Sequence, residues 1–312
     1  MQRIAIRTLP DGTVRKLQPF HVCIKGLEDA ILCKDDEDYD AMVKVICVSA
    51  WRHNVIVIIY TVLSNHCHVA VLAERQETAQ NYGNDIKKVF SMWLSRKYKE
   101  RGLLKRIDLK ALWLDTDWYV RNVLAYIPRN VLDNGCNVNE YKWTGYRAMF
   151  NKDYPAGLQR VCDMNTREKE SIMHTGDKLY GVPWLVNSSG ELEPASFCDK
   201  TYLEQAFSND QSYFMKTIGN VNSVEMHYNL EERPYMMLPD TELFKSIEEI
   251  SLKWFNQSVD SLSQEQKNRL IPYLCRTRKT TSKQLSRLLG IPPERMPKLS
   301  GYLRKPAVTT MM

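Results

Sequence analysis

His66 and His68 stand two apart in the stretch Ser64-Asn65-His66-Cys67-His68-Val69. That stretch closes the apolar run Val55 to Tyr60 and opens a second one, Val69 to Ala73. Alternate side chains of a β-strand share a face, so the two imidazoles would lie side by side while Cys67 points the other way. Such a pair is half of a metal site. Imidazole suits several divalent ions and at least one more ligand must come from elsewhere, so the pair by itself does not name the metal. A half-exposed sheet face is the other reading of the same spacing.

Tyr126 and Asn130 supply the kinds of group the histidines lack, a nucleophilic hydroxyl and an amide oxygen. They are four residues apart in Trp118 to Asn130, a segment expected to be helical behind a Thr116 or Asp117 cap, and so share a face. The competing reading is a core aromatic followed by a helix stop. Pro128 lies between them, where it removes an amide donor and crowds the carbonyl of Leu124. A kink there would shift Asn130 relative to Tyr126. Tyr119, earlier on roughly the same face, is the fallback nucleophile.

The elements that must position these groups are legible as patterns. Val14 to Ile24 reads as a first strand that ends at Lys25-Gly26. Asp35-Asp36-Glu37-Asp38 then precedes Tyr39, Met42, Val43, Ile46 and Ala50 at helical spacing, with acids where they complement a helix dipole. Val55 to Val62 and His66 to Ala73 read as a hairpin. An amphipathic helix is expected from about Glu77 to Arg101, with Ile86, Val89, Phe90 and Trp93 on one side and Lys87, Lys88, Arg96, Lys97 and Lys99 largely on the other. Trp93 and Tyr98 interleave with these bases, which suits a surface that tracks phosphates, although a charged face is also what any solvated helix presents. Lys105-Arg106 forms a basic turn before a last strand, Leu109 to Trp113. The order strand, helix, strand, strand, helix, strand, helix matches a ferredoxin-like α+β fold, an antiparallel sheet with its helices on one face, plus one added helix.

Beyond position 150 the pattern weakens. Short segments punctuated by Pro and Gly fill 151–240, read as a connecting region, with one or two helices between Tyr202 and Ile218. From Thr241 the chain is helical again, giving three parts, 1–150, 151–240 and 241–312. Thr280-Thr281-Ser282 caps a short helix, Gly290 makes a turn and Pro292-Pro293 starts another helix, which fits a helix-turn-helix with Arg295 and Lys298 on the recognition helix. A small helical protein-docking module is the alternative.

Composition narrows the classes. The 312 residues are 44% hydrophobic and 26% charged, and no apolar run reaches the roughly 18–20 residues of a membrane span. The first residues lack the apolar core of a secretory signal, so a cytoplasmic location is expected. Eight cysteines are scattered with no CxxC pair, as reduced and mostly buried thiols would be. A net charge of +6 leans toward a polyanionic partner where the bases cluster, as they do around 276–298.

Residues 15–150 resemble the single-tyrosine transposases with a His-hydrophobic-His motif (HUH), and among them the REP-associated tyrosine transposases. The resemblance is carried by Phe20-His21-Val22 with Lys25-Gly26, by Asp35 to Tyr39, by Ser64 to Val69, by Tyr126-Ile127 with Asn130, and by Tyr141-Lys142-Trp143-Thr144-Gly145-Tyr146, in that order. Lys25 stands where arginine is usual and Val131 where proline is usual. The resemblance implies that His66, His68 and Asn130 hold Mg²⁺ or Mn²⁺ and that Tyr126 attacks DNA to form a 5′-phosphotyrosine. It further implies single-stranded DNA with a palindromic hairpin as partner, no membrane, and a monomer or homodimer. Lys87, Lys88, Arg96 and Lys97, then Lys105 and Arg106, are the residues expected to meet the DNA backbone. A non-cleaving DNA-binding protein derived from such an enzyme is the alternative.

Overall fold

The computed structural model describes residues 3–26, 31–99, 107–151, 154–221, 240–277, 280, 282–292 and 295–296. The chain divides into two compact units, 1–231 and 232–312. The first is mixed α/β and is built on a five-stranded antiparallel sheet. Its elements are β1 (Ala5–Thr8), β2 (Val14–Gly26), α1 (Asp36–Arg52), β3 (Ile56–Val62), β4 (His66–Ala73), α2 (Gln76–Tyr98), β5 (Ile107–Trp113) and α3 (Asp117–Asp133). Strand order runs β5-β2-β4-β3, with β1 paired to the first residues of β2. The sequence patterns locate every one of these elements except β1, which is too short and too exposed on alternate residues to stand out.

Pleating sorts the side chains of the sheet. Ile24 lies opposite both Cys67 and Leu109, and Val22 opposite Val69 and Ala111, so these residues share one face. Helix α2 packs there so closely that a Cβ on Gly83 would fall 2.6 Å from the Leu109 side chain and 3.1 Å from Val22. Helix α1 packs beside α2 and β3. His21, His66 and His68 belong to the opposite parity and face α3. The helices therefore cover both faces of the sheet, not one. Two apolar rows of the strands need cover, and α1 and α2 together shield only the row that contains Cys67.

Local chemistry explains where the helices begin. Asp35 caps α1, its carboxylate accepting from the Asp38 amide at 3.0 Å, and Thr116 caps α3 by accepting from the Tyr119 amide at 3.2 Å. Tyr98 ends α2, and Lys99 follows it in the left-handed region with φ 57°. Helix α3 runs through Pro128 to Asp133 without interruption. Proline withholds only the bond to the Leu124 carbonyl, and the buried surroundings of 123–131 hold the rest of the helix in place.

The segment 154–221 belongs to the same unit. It carries a short two-stranded ribbon, β6 (Gln159–Arg160) with β7 (Leu185–Val186), and helices α4 (Thr166–Met173), α5 (Lys200–Ala206) and α6 (Gln211–Asn220). Cys198 bridges to Val57 at the start of β3, and Asp199 both donates its amide to the Val57 carbonyl at 2.7 Å and pairs with Arg7. Helix α6 lies along α3, where the Arg129 guanidinium donates to the carbonyls of Ile218 and Gly219 at 3.2 and 2.9 Å. The Tyr141–Tyr146 motif is bound to β3. Val62 donates its amide to Trp143, Thr61 and Thr144 join through their hydroxyls, and the Trp143 indole stacks on Tyr39 at 4.2 Å while donating to Asp40.

The second unit contains α7 (Asp240–Phe255), α8 (Gln264–Thr277) and α9 (Ser282–Leu289) around a core of Leu243, Ile247, Ile250, Leu270, Ile271, Leu274, Leu285 and Leu289. Gly290 follows α9 with φ 62°, a turn that a side chain would strain. Arg295 is exposed, whereas Lys298 and most of the helix expected around it lie outside the described residues. Among the described residues no helix is long and apolar enough to cross a membrane.

Candidate functional site

The site forms where the start of β4 meets the middle of α3. His66 and His68 project from one face of β4 with ring centroids 4.9 Å apart, edge to face. From the facing helix the Tyr126 ring approaches His68 to 5.2 Å, again edge on. Tyr126 is 1% exposed, His68 is fully buried and Asn130 is 7% exposed, whereas His66 is half-buried. Solvent therefore meets this cluster at His66. Asn130 follows one turn after Tyr126, and its amide nitrogen donates back to the Tyr126 carbonyl at 2.7 Å. That bond turns the NH₂ end toward the helix's own backbone, and the side-chain oxygen is the atom with ligating capacity. Tyr119, two turns earlier, is also fully buried, and its ring neighbour is Trp118.

A third histidine joins the group. His21, fully buried on β2, sets its Nε2 3.0 Å from His68 Nδ1, with the two rings nearly parallel at 22° and 5.1 Å between centroids. The register explains the meeting. Cys23 lies opposite His68 and His21 opposite Ala70, which makes His21 and His68 a diagonal cross-strand pair within reach of long side chains. Sequence reasoning gave His21 no role. Its alternation with Val22 and Ile24 shows that it leaves the apolar face, but only the pairing register shows what it meets there.

The donor set suits a divalent cation. His66 Nδ1 lies 2.7 Å from the Asn65 side-chain oxygen, which can only accept, so Nδ1 carries the proton and Nε2 is the nitrogen through which the ring would ligate. His68 is likewise engaged at Nδ1. Among the described residues no three His, Cys, Asp or Glu side chains converge as a metal-holding group.

The basic residues of α2 divide. Lys97 is bound to Asp35, Glu37 and Asp38 at 2.6–2.9 Å and lies over the rings of Trp93 and Tyr98, so its charge is neutralised within the fold. Lys87 donates to the Ile107 carbonyl at 2.8 Å. Lys88 and Arg96 are exposed. Lys105 and Arg106 lie outside the described residues. Burial pushes the thiols of Cys33, Cys47, Cys67 and Cys198 up, which makes them poor nucleophiles and poor ligands.

No family model and no curated protein matches this chain. Among solved structures, it is similar to one described as the REP-associated tyrosine transposase bound to a REP hairpin. The two share 15% identity over 44% of this chain and 82% of that one, with a TM-score of 0.36.

Proposed function

We propose that this protein cuts and rejoins single-stranded DNA beside a hairpin, with Tyr126 as nucleophile. The observation that carries the reading is the convergence of Tyr126 with His68 at 5.2 Å and, through His68, with His66 at 4.9 Å. In the reaction the Tyr126 hydroxyl oxygen forms a bond to the scissile phosphorus as the bond from phosphorus to the 3′ oxygen breaks. The phenol proton is lost to solvent and the departing 3′ oxygen takes one up, giving a 5′-phosphotyrosine and a free 3′-hydroxyl. Attack by another 3′-hydroxyl reverses these steps and restores the tyrosine, so strands are joined without a nucleotide cofactor.

His66 and His68 through Nε2, and Asn130 through its side-chain oxygen, would hold Mg²⁺ or Mn²⁺. A bound ion of this kind polarises the phosphate and offsets the negative charge that develops on it. The tyrosine hydroxyl must meet phosphorus in line, which an unpaired, unstacked strand permits. Lys88 and Arg96 are the exposed bases of α2 that would track its backbone. We read the β5-β2-β4-β3 sheet with α1 and α2 as ferredoxin-like, and the second unit as a helix-turn-helix that adds duplex or hairpin affinity.

The burial of Tyr126 favours a second reading, a DNA-binding protein that does not cleave, since a strand reaches this hydroxyl only if its cover opens. Incubation with labelled single-stranded hairpins and Mn²⁺, resolved on a denaturing gel, separates the two. The first reading expects a covalent adduct that is lost with Tyr126→Phe and kept with Tyr119→Phe. Retarded complexes on a native gel with no adduct from any hairpin would overturn it in favour of the second.

A further inference from the structure

We propose that His21 is a positioning residue that fixes the tautomer and orientation of His68, so that His68 offers Nε2 to a cation. The inference rests on the reading of His66 and His68 as ligands. Its ground is the 3.0 Å approach of His21 Nε2 to His68 Nδ1 inside a fully buried pair. Two neutral imidazoles that meet nitrogen to nitrogen share one proton between them, so one ring donates and the other accepts.

The neighbouring ligand indicates which way round they stand. His66 donates from Nδ1 to Asn65, so its ligating nitrogen would be Nε2. If His68 likewise donates from Nδ1, His21 accepts at Nε2 and both ligands present the same nitrogen from the same strand. With the proton placed the other way, His68 would carry its proton on Nε2 and could not ligate through either nitrogen without breaking the bond to His21. The hydrogen bond between the two rings, whose planes lie within 22° of each other, also restricts rotation of His68 about its Cβ–Cγ bond. Partners of this kind, which hold the second nitrogen of a ligating histidine, typically change metal affinity by roughly 10–100-fold when removed.

The test uses the full chain with Mn²⁺ as probe, its affinity read by the loss of the free-ion electron paramagnetic resonance signal. The variants are His21→Leu, which fills similar space without an acceptor, and His21→Gln, whose side-chain oxygen can accept in place of Nε2. Wild type should bind Mn²⁺, His21→Leu about 10-fold more weakly or worse, and His21→Gln close to wild type. A metal-free readout stands beside it. Long-range ¹H–¹⁵N spectra of the wild-type imidazoles should show His68 protonated on Nδ1, and this holds the proposal to account even if a variant fails to fold. Equal binding by His21→Leu and wild type would overturn the inference and leave the ligand assignment intact. Equal weakening in both variants would reduce His21 to a packing residue, and His68 protonated on Nε2 would also refute the proposal. Failure of wild type to bind Mn²⁺ would remove the ligand reading and this inference together.

Discussion

Tyr126 on α3 stands edge-on to His68 on β4, with 5.2 Å between ring centroids and both side chains sealed from solvent. Under the proposed reaction the phenol has two roles that mutation can separate. Tyr126→Phe keeps the ring and its packing and should cost no more than about 1 kcal/mol while abolishing any covalent adduct. Tyr126→Ala opens a cavity and should destabilise the fold by about 3–5 kcal/mol, as loss of a buried aromatic ring does. Thermal melts of the two variants alongside the adduct assay check both halves.

Arg129 ties the end of α6 to α3, beside the packing of the buried Phe214 and Ile218. Arg129 donates to two carbonyls at the end of α6 and also pairs with Asp133. Arg129→Ala should leave those carbonyls to water and cost about 1–2 kcal/mol, as two charge-assisted bonds at a partly exposed site would. Amide hydrogen exchange should quicken in 211–220 before it quickens in β4, since local opening releases the less buried element first. Uniform acceleration across the unit would show instead that Arg129 supports the whole fold.

Lys97 joins α2 to the first turn of α1, and its effect on stability has a definite dependence on pH. Burial pulls its ammonium down, but hydrogen bonds to Asp35, Asp38 and Glu37 outweigh that and hold it above its usual 10.5. The hydrogen bond from Lys97 is the largest cause holding Asp35 below its usual 3.8. The raised base stabilises fully below about pH 10.5 and loses this contribution as pH rises through its folded value, whereas the lowered acid stabilises above about pH 4 and loses it as pH falls. Lys97→Met should therefore lower the melting temperature by a constant amount between about pH 5 and 9, with the gap to wild type narrowing toward either extreme. Asp38 is fully buried, so the loss should be about 1–3 kcal/mol at neutral pH rather than the fraction typical of an exposed pair. Melts across the pH range measure it.

Lys88 and Arg96 differ from Lys97 in being exposed, and only such groups can exchange counterions for phosphates. The double change Lys88→Gln with Arg96→Gln should leave the melting temperature within about 1 °C. It should also lower the salt slope of single-strand binding by about 1.4, or about 0.7 for each phosphate no longer neutralised. Lys97→Met should leave that slope unchanged. Titrations of a labelled oligonucleotide at several salt concentrations distinguish these outcomes, and an unaltered slope in the double variant would remove α2 from the DNA path.

What the sequence alone determined is what backbone periodicity dictates. Alternation in the apolar runs put His66 and His68 on one face of a strand and Cys67 on the other, and the helical repeat put Tyr126 and Asn130 together. The acids at 35–38 marked a helix start because a capping carboxylate acts on amides only a few residues away. All of these relations are local, so residue order suffices to state them. Tertiary structure alone decided which partners arrive from far along the chain. Cross-strand register brought His21 to His68, the packing of α3 against the second face buried Tyr126, and the neighbourhood of α1 turned Lys97 from a free cation into an ion-pair partner. The anchoring of 154–221 onto β3 and α3 belongs with these, since its bonds to Val57 and Arg129 are made by backbone groups of the segment, which carry no sequence signature. A side chain's periodicity fixes the direction in which it leaves its own element, and the energy of what it meets there depends on a surface that another part of the chain supplies.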